Sequence, residues 1–564
     1  MKFKDYIYNR PDIGEVKSSF DAIMEKFSQA TSLNEQDAAM VKINSLRGEF
    51  ESMSQIAYIR HTVDTTDDYY DQEQTYFDEN MPIYQGFISR FYQALVISRF
   101  RSELEGKWGK QLFTIAELTL KTFKPEIIAD LQLENKLISE YTKLISSAKI
   151  IFEGEERNLP GLGTFQQSTD REMRQKANEA KYAFFATHEA KLDEIYDKLV
   201  NVRTRIAKTL GFPNYVELGY ARMLRSDYQP EMVANFRQQV AEHIVPVATQ
   251  LRERQRRRLG LDTLMYYDEK FSFLTGNATP QGDPAWILEQ GRRMYRELSP
   301  ETDEFFSFMT EHELMDLVSK KGKASGGYCT FISNYQAPFI FSNFNGTSGD
   351  VDVLTHEAGH AFQVYSSRNY VLPEYQFPTN EAGEIHSMSM EFFAWPWVDL
   401  FFKEAADKYR FTHLSEALLF IPYGVTVDEF QHFVYMHPEA TSQERKNAWR
   451  QIEQKYLPHR QYGDNAYLER GNFWHQQGHI FRTPFYYIDY TLAQICAFQF
   501  WKSSREDHDV AWQNYLRLCQ AGGSKSFLEL VKSANLISPF ENGCVHSVIG
   551  AIEQWLDEVD DARF

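Results

Sequence analysis

Apolar residues recur at three- and four-residue spacing between charged ones from Glu15 to Phe50, and again from Asp170 to Leu210. That period belongs to helices with one buried stripe. Capping residues open further segments: Ser168-Thr169-Asp170 stands ahead of Arg171-Glu172, and Ser299-Pro300-Glu301 ahead of Phe305-Phe306. Gly and Pro at Leu159-Pro160-Gly161, Gly211-Phe212-Pro213 and from Gly276 to Pro284 mark loops. One region alone carries the short aromatic and β-branched runs of strands. It extends from Gly326 to Ile332 and, past Pro338, from Phe339 to Phe344. The pattern predicts a mainly α chain with one small sheet.

With 564 residues, a single core is outgrown and two or three lobes are expected. The boundary is soft. We place it near residue 190, giving an N-terminal helical lobe over 1–190 and a chemistry-bearing lobe over 191–564. A net charge of −19 argues against nucleic acid as a partner, because phosphate binding needs a basic face. The one basic run, Arg252 to Arg258, ends at Gly260 and reads as cations at a helix C-terminus. Four scattered cysteines, Cys329, Cys496, Cys519 and Cys544, lack CxxC pairing and read as free thiols in a reducing compartment. The first residues contain no apolar signal segment, and no run approaches a membrane span. The reading is a cytoplasmic protein without a membrane partner.

Chemistry concentrates in one stretch. After the loop Asn345-Gly346-Thr347-Ser348-Gly349, apolar residues at 351, 354, 358, 361 and 362 mark a helix, and it carries His356-Glu357-Ala358-Gly359-His360. Histidines at i and i+4 leave one face a turn apart and can grip a single zinc ion. Glu357 lies beside the metal but not on it, placed to take a proton from an activated water. Chance would supply such a motif in only about 0.03 chains of this composition. The chain holds its own controls: His188-Glu189-Ala190 has Leu192 where a second histidine would fall, and His475 and His479 share the spacing without an adjacent Glu.

A catalytic zinc takes a third protein ligand and keeps one open position. Downstream candidates are Glu374, Glu381, Glu384 and Glu391. Arrangements with a closely following glutamate would put it at Thr379 or Asn380, which do not serve. Glu384 and Glu391 are seven apart and share a helical face, with Ser387 between them. One can ligate while the other orients a histidine.

The motif His356 to His360, together with Glu384-Ile385-His386-Ser387-Met388-Ser389-Met390-Glu391, resembles the thimet oligopeptidase family, within it the oligoendopeptidase F branch. The resemblance implies that His356, His360 and Glu384 hold one zinc ion per chain, that Glu357 is the base, and that Glu391 is a supporting carboxylate. His386 stands where many members have Pro or a small residue, which brings a titrating group close to the site. Gly478 to Tyr490 is similar to the family stretch whose His and Tyr residues face the scissile carbonyl. Tyr490 is the first choice of oxyanion donor, with His479 and then Tyr487 next and Tyr486 still open by register. Ala207 to Tyr215, Leu259 to Asp268 and Lys323 to Tyr328 extend the likeness.

The family implies a two-lobed, clam-like helical shell around a deep channel, with a small sheet beside the active-site helix. The function expected is a zinc-dependent oligoendopeptidase that cuts internal bonds of short unstructured peptides. Two alternatives carry the same ligands: a zinc carboxypeptidase or dipeptidase, and a non-catalytic zinc-bound peptide-binding protein. Glu357 speaks against the last, because a structural site has no use for a base. The strand Phe339 to Phe344, just before the metal helix, is the expected edge for an extended substrate.

Overall fold

The computed structural model describes residues 1–324 and 326–564. Ser325, part of the family-like run Lys323 to Tyr328, lies outside the described residues. The chain is mainly helical, as its periodicity predicts, but both long amphipathic stretches divide. The first becomes helices Ile13–Gln29 and Leu33–Val63, because Ser32 caps a new helix by accepting from Glu35 N. The second becomes Arg171–Thr187 and Glu189–Leu210, broken at His188, with Asp170 as the N-cap. Ser299 and Thr302 form the capping box that opens helix Pro300–Glu311.

Among the described residues, five strands form two sheets. A hairpin unseen in the sequence pattern pairs β1 (Ile150–Phe152) with β2 (Glu155–Arg157). The second sheet has the order β3-β5-β4, with β3 at Met315–Val318, β4 at Tyr328–Ile332 and β5 at Ala337–Phe344. β5 pairs antiparallel with β4 (Tyr328 opposite Phe341) and parallel with β3 (Met315 opposite Ile340). The expected substrate edge on Phe339 to Phe344 is therefore corrected. Both sides of β5 are already hydrogen-bonded to strands, and the two edge strands are β3 and β4.

The first helices pack on a core of their own, built around residues such as Phe20, Met40, Phe50, Phe87 and Phe91. Leu372 and Tyr375 belong to that same cluster, although they follow the metal helix in sequence. Most other buried residues from Ile127 onward, with Tyr6, Ile56 and Ile59 from before it, join one larger core, and small clusters around Phe152 and Phe271 stand apart from it. Glu374, once a candidate ligand, sits where the two cores meet. Arg47 Nη1 reaches its carboxylate at 2.7 Å and the Tyr92 hydroxyl donates to it, so it ties the first helices to the catalytic segment. The basic run is neutralised as a helix end. In helix Val245–Arg258, Arg254 and Arg258 reach Asp561 and Arg256 reaches Glu253. All four cysteines are free, and no helix among the described residues is long and apolar enough to cross a membrane.

Candidate active site

β5 runs into the loop at Asn345, which is folded back by Asp350. That side chain accepts from the backbone N–H of Asn345 and of Gly346, both at 2.8 Å. The metal helix, Gly349–Ser367, starts there. Its predicted stripe, Val351, Leu354, Ala358, Ala361 and Phe362, is buried. Asp352, Val353, His356 and His360 are the half-open positions of its first three turns, so both imidazoles look out of the core along one face.

Helix Asn380–Phe393 crosses the metal helix at Gly359. A Cβ there would stand 2.6 Å from Ser387 Cα and 2.7 Å from the His386 carbonyl oxygen. The absence of a side chain lets the backbones touch and brings Glu384 over the histidines. Glu384 Oε2 lies 3.4 Å from His356 Nε2 and 3.5 Å from His360 Nε2. Among the described residues these three form the group whose ligand atoms lie close enough together to hold a metal ion. Zn–N and Zn–O bonds of about 2.0–2.1 Å at tetrahedral angles put ligand atoms about 3.3 Å apart. The donor set fits zinc in kind and in spacing.

Protonation fits as well. The Trp395 indole N–H, a donor only, meets His413 Nδ1 at 3.1 Å, so His413 carries its proton on Nε2. That proton faces Glu391 Oε2 at 2.7 Å, and the other oxygen of Glu391 accepts from His356 Nδ1 at 2.7 Å. The lone pair of His356 is thereby left on Nε2, toward the metal position. Burial works to raise the Glu391 carboxyl, but its hydrogen bonds to His356 and His413 hold it at about 2. Burial likewise opposes ionisation of Glu384, and the charges and hydrogen bonds of His360 and His356 outweigh it. Glu357 is buried beside them without such bonds. Burial pushes its carboxyl above the usual range, and the two histidines only partly offset that.

On the far side stands helix Tyr487–Glu506 and the turn before it. Tyr486 donates to Glu384 Oε1 at 2.7 Å, and Ser387 Oγ to Glu384 Oε2 at 3.0 Å, so both oxygens of the third candidate ligand are held. The rings of Tyr486 and Tyr490 are 5.0 Å apart, and the His479 ring is 5.9 Å from that of Tyr490. The Tyr487 ring lies 5.0 Å from that of His479 and packs against Phe420 and Tyr423 at 5.6 and 5.8 Å. The Tyr423 hydroxyl donates to Gln477 Oε1 at 2.8 Å, which aims the Gln477 amide N–H₂ at His479 Nδ1, also at 2.8 Å. His479 therefore carries its proton on Nε2. Burial and the neighbouring Arg482 charge lower its pKa to about 4, so it is neutral at neutral pH.

Not every candidate near the motif belongs to this group. His386 is wholly buried beside Tyr515 and pushed by burial down to about 4, so it is not the nearby titrating group its position suggested. Glu381 is buried among Arg225 and Asp489. His475 is also buried, between Asp193 and Tyr467, and Glu189 pairs with Lys446 and Arg470, so both of these residues are structural. Two partners escaped the sequence reading: His413, which no spacing connects with Glu391, and the direct bond from Tyr486 to Glu384.

The model of Peptidase family M3 matches residues 164–274 and 301–547, and that of the Peptidase M3 N-terminal domain matches residues 3–123. The chain belongs to peptidase family M3, a family of metallopeptidases. Its likeness lies on the oligoendopeptidase F side. The solved structure of PZ peptidase A with an inhibitor is 65% identical and superposes with a TM-score of 0.96 over 100% of both chains. An oligoendopeptidase F homolog of Borreliella burgdorferi is 23% identical over 70% of this chain and 68% of its own. The group B oligopeptidase PepB of Streptococcus agalactiae is 22% identical over 93% of this chain and 85% of its own.

Proposed function

We propose that this metallo-oligopeptidase hydrolyses internal bonds of short peptides with one zinc ion held by His356, His360 and Glu384. The observation that carries the reading is the convergence of those donors, with Glu357 beside them and free of any cation's hydrogen bond. When bound, zinc supplies Lewis acidity toward water and the peptide carbonyl. Glu357 takes the proton of the attacking water on its carboxylate and passes it to the nitrogen of the departing amine. The burial that raises its pKa suits both halves of that transfer. Tyr490, with its hydroxyl, and His479, through Nε2–H, are the donors for the carbonyl oxygen as it gains charge. Tyr487 backs them by packing. Tyr486 fixes Glu384 instead of meeting substrate.

An extended peptide has a strand to pair with in β4. Among the described residues no strand lies on its outer edge, and it begins beside the base: a Cβ on Gly327 would be 3.4 Å from Glu357 Oε1. Backbone pairing supplies affinity with little demand on side chains. The free thiols support a reducing, cytoplasmic setting.

The test is mass spectrometry of peptides blocked at both ends, incubated with and without a chelator. Internal cleavage that stops on chelation and returns with zinc is expected. A carboxypeptidase or dipeptidase leaves doubly blocked peptides intact. Glu357→Gln that keeps its zinc and turns over undiminished removes the catalytic assignment.

A further inference from the structure

His413 sits between two residues of one short segment. Its Nε2 faces Glu391 Oε2 at 2.7 Å, and its Nδ1 faces the Trp395 indole nitrogen at 3.1 Å. Glu391 lies in the last turn of helix Asn380–Phe393, and Trp395 opens the 3₁₀ turn Trp395–Trp397 that follows it. His413 itself belongs to helix Ala406–Met436. Three hydrogen bonds therefore join the indole to the metal group, the last running from His356 Nδ1 to the other oxygen of Glu391 at 2.7 Å.

Glu391 by itself does not settle the protonation of His413. A carboxylate accepts equally well from an imidazole protonated on Nε2 alone or on both nitrogens. Burial opposes the doubly protonated form, but Glu391, then Asp352 and Glu416, favour it and outweigh burial. Trp395 supplies the missing restriction. An indole N–H only donates, so Nδ1 must keep its lone pair.

The consequence reaches the metal side. A His413 cation would offset the charge of Glu391, and a carboxylate so neutralised accepts less strongly from His356. With His413 neutral, Glu391 keeps its charge for His356 Nδ1–H, which raises the basicity of His356 Nε2. The indole is also held in place. Trp395 is 8% exposed, with the rings of Phe392 and Trp555 each 5.4 Å away and that of Trp501 at 6.2 Å. Arg410 Nη2 donates to its backbone carbonyl at 3.1 Å. Tyr409 stacks on the His413 ring at 5.6 Å and gives its hydroxyl to Asp352 at 2.6 Å, so that carboxylate is met by a phenol.

We infer that Trp395 is a positioning residue for the zinc site, acting through His413 and Glu391 on His356. The inference rests on the zinc reading above. It makes the indole N–H, not the bulk of the ring, the part that counts.

The test measures zinc affinity of the full chain by competition with a chelator. Trp395→Phe keeps an aromatic ring and deletes the N–H, and its zinc dissociation constant is expected to rise about tenfold. Trp555→Phe trims the neighbouring indole by the same atoms and leaves the affinity as it was. In a His413→Ala background, Trp395→Phe has no further effect, because the relay is already cut. Equal losses in Trp395→Phe and Trp555→Phe, or a Trp395→Phe loss that repeats in full without His413, assign the indole to packing and overturn the inference. Unaltered affinity in Trp395→Phe overturns it as well. Should that variant not fold, nitrogen NMR of zinc-free wild-type protein labelled at histidine takes its place, the His413 signal being the one missing from His413→Ala. A single proton on Nε2 is expected, and a proton on Nδ1 overturns the inference. Wild-type protein that binds no zinc at all would sink the zinc reading itself, which the comparison among variants leaves untouched.

Discussion

His413 faces Glu391 at 2.7 Å, on the carboxylate oxygen turned away from the metal helix. The other oxygen holds His356, so a histidine on another helix and a proposed zinc ligand share one carboxylate. His413→Ala leaves Glu391 free to turn and His356 free to take the wrong tautomer. Zinc affinity is expected to drop about 10- to 100-fold, measured by competition with a chelator, and Glu391→Gln to drop comparably. Unaltered affinity in both variants would show that the relay does not position the ligand.

Gly359 acts through what it lacks. Gly359→Ala puts a methyl group 2.6 Å from Ser387 Cα, and backbone cannot swing aside as a side chain can. The crossing must open, moving Glu384 from the two histidines. A loss of about 1–3 kcal/mol in unfolding free energy is expected, with weaker zinc binding. Denaturant titration of the zinc-free protein separates the packing cost from the metal's contribution.

Phe485, just before the tyrosines, has φ of 68°, a conformation that costs a bulky residue energy. Arg225 holds it there. Its Nη2 donates to the Phe485 carbonyl and to Asp489 Oδ1, the latter at 2.6 Å with both side chains buried. Arg225→Met strands a buried carboxylate and releases the turn that aims Tyr486 and Tyr490. The expected cost is about 3–5 kcal/mol in stability. In protein that remains folded, kcat should fall more than KM rises, and steady-state kinetics below the melting range reads that split.

Protonation of His479 follows from its burial. With its pKa lowered from 6.5 to about 4, the neutral form prevails throughout pH 5–8, and only below about pH 4 does the cation dominate. His479→Leu, which removes the N–H proposed to meet the oxyanion, should lower kcat by about 10²–10³. The acid limb of the pH–rate profile should remain where it is. A limb that disappears in the variant would mean that His479 itself titrates there.

Much of this arrangement was legible in the sequence because it is local. The imidazoles of His356 and His360 share a face by helical geometry alone, Glu357 follows from its one-residue offset, and the buried stripe from Val351 to Phe362 repeats with the helical period. Helical content, the caps at Asp170 and Ser299, and two strands of the main sheet were legible on the same ground: the signal spans a few neighbouring residues. Choosing Glu384 over Glu374 and Glu381 took the family resemblance. Tertiary packing then gave the physical reason, since Arg47 and Tyr92 engage Glu374 while Arg225 and Asp489 surround Glu381.

What the sequence determined by itself was the chemistry available: two imidazoles, a carboxylate base and a run of tyrosines at fixed spacings. Only the tertiary structure decided that β5 is an interior strand, that Tyr486 serves Glu384 and that His413 serves Glu391. Those relations join segments far apart in the chain. Spacing governs directions along one helix, but distance across a core is set by which surfaces pack, and at Gly359 by how closely two backbones can meet.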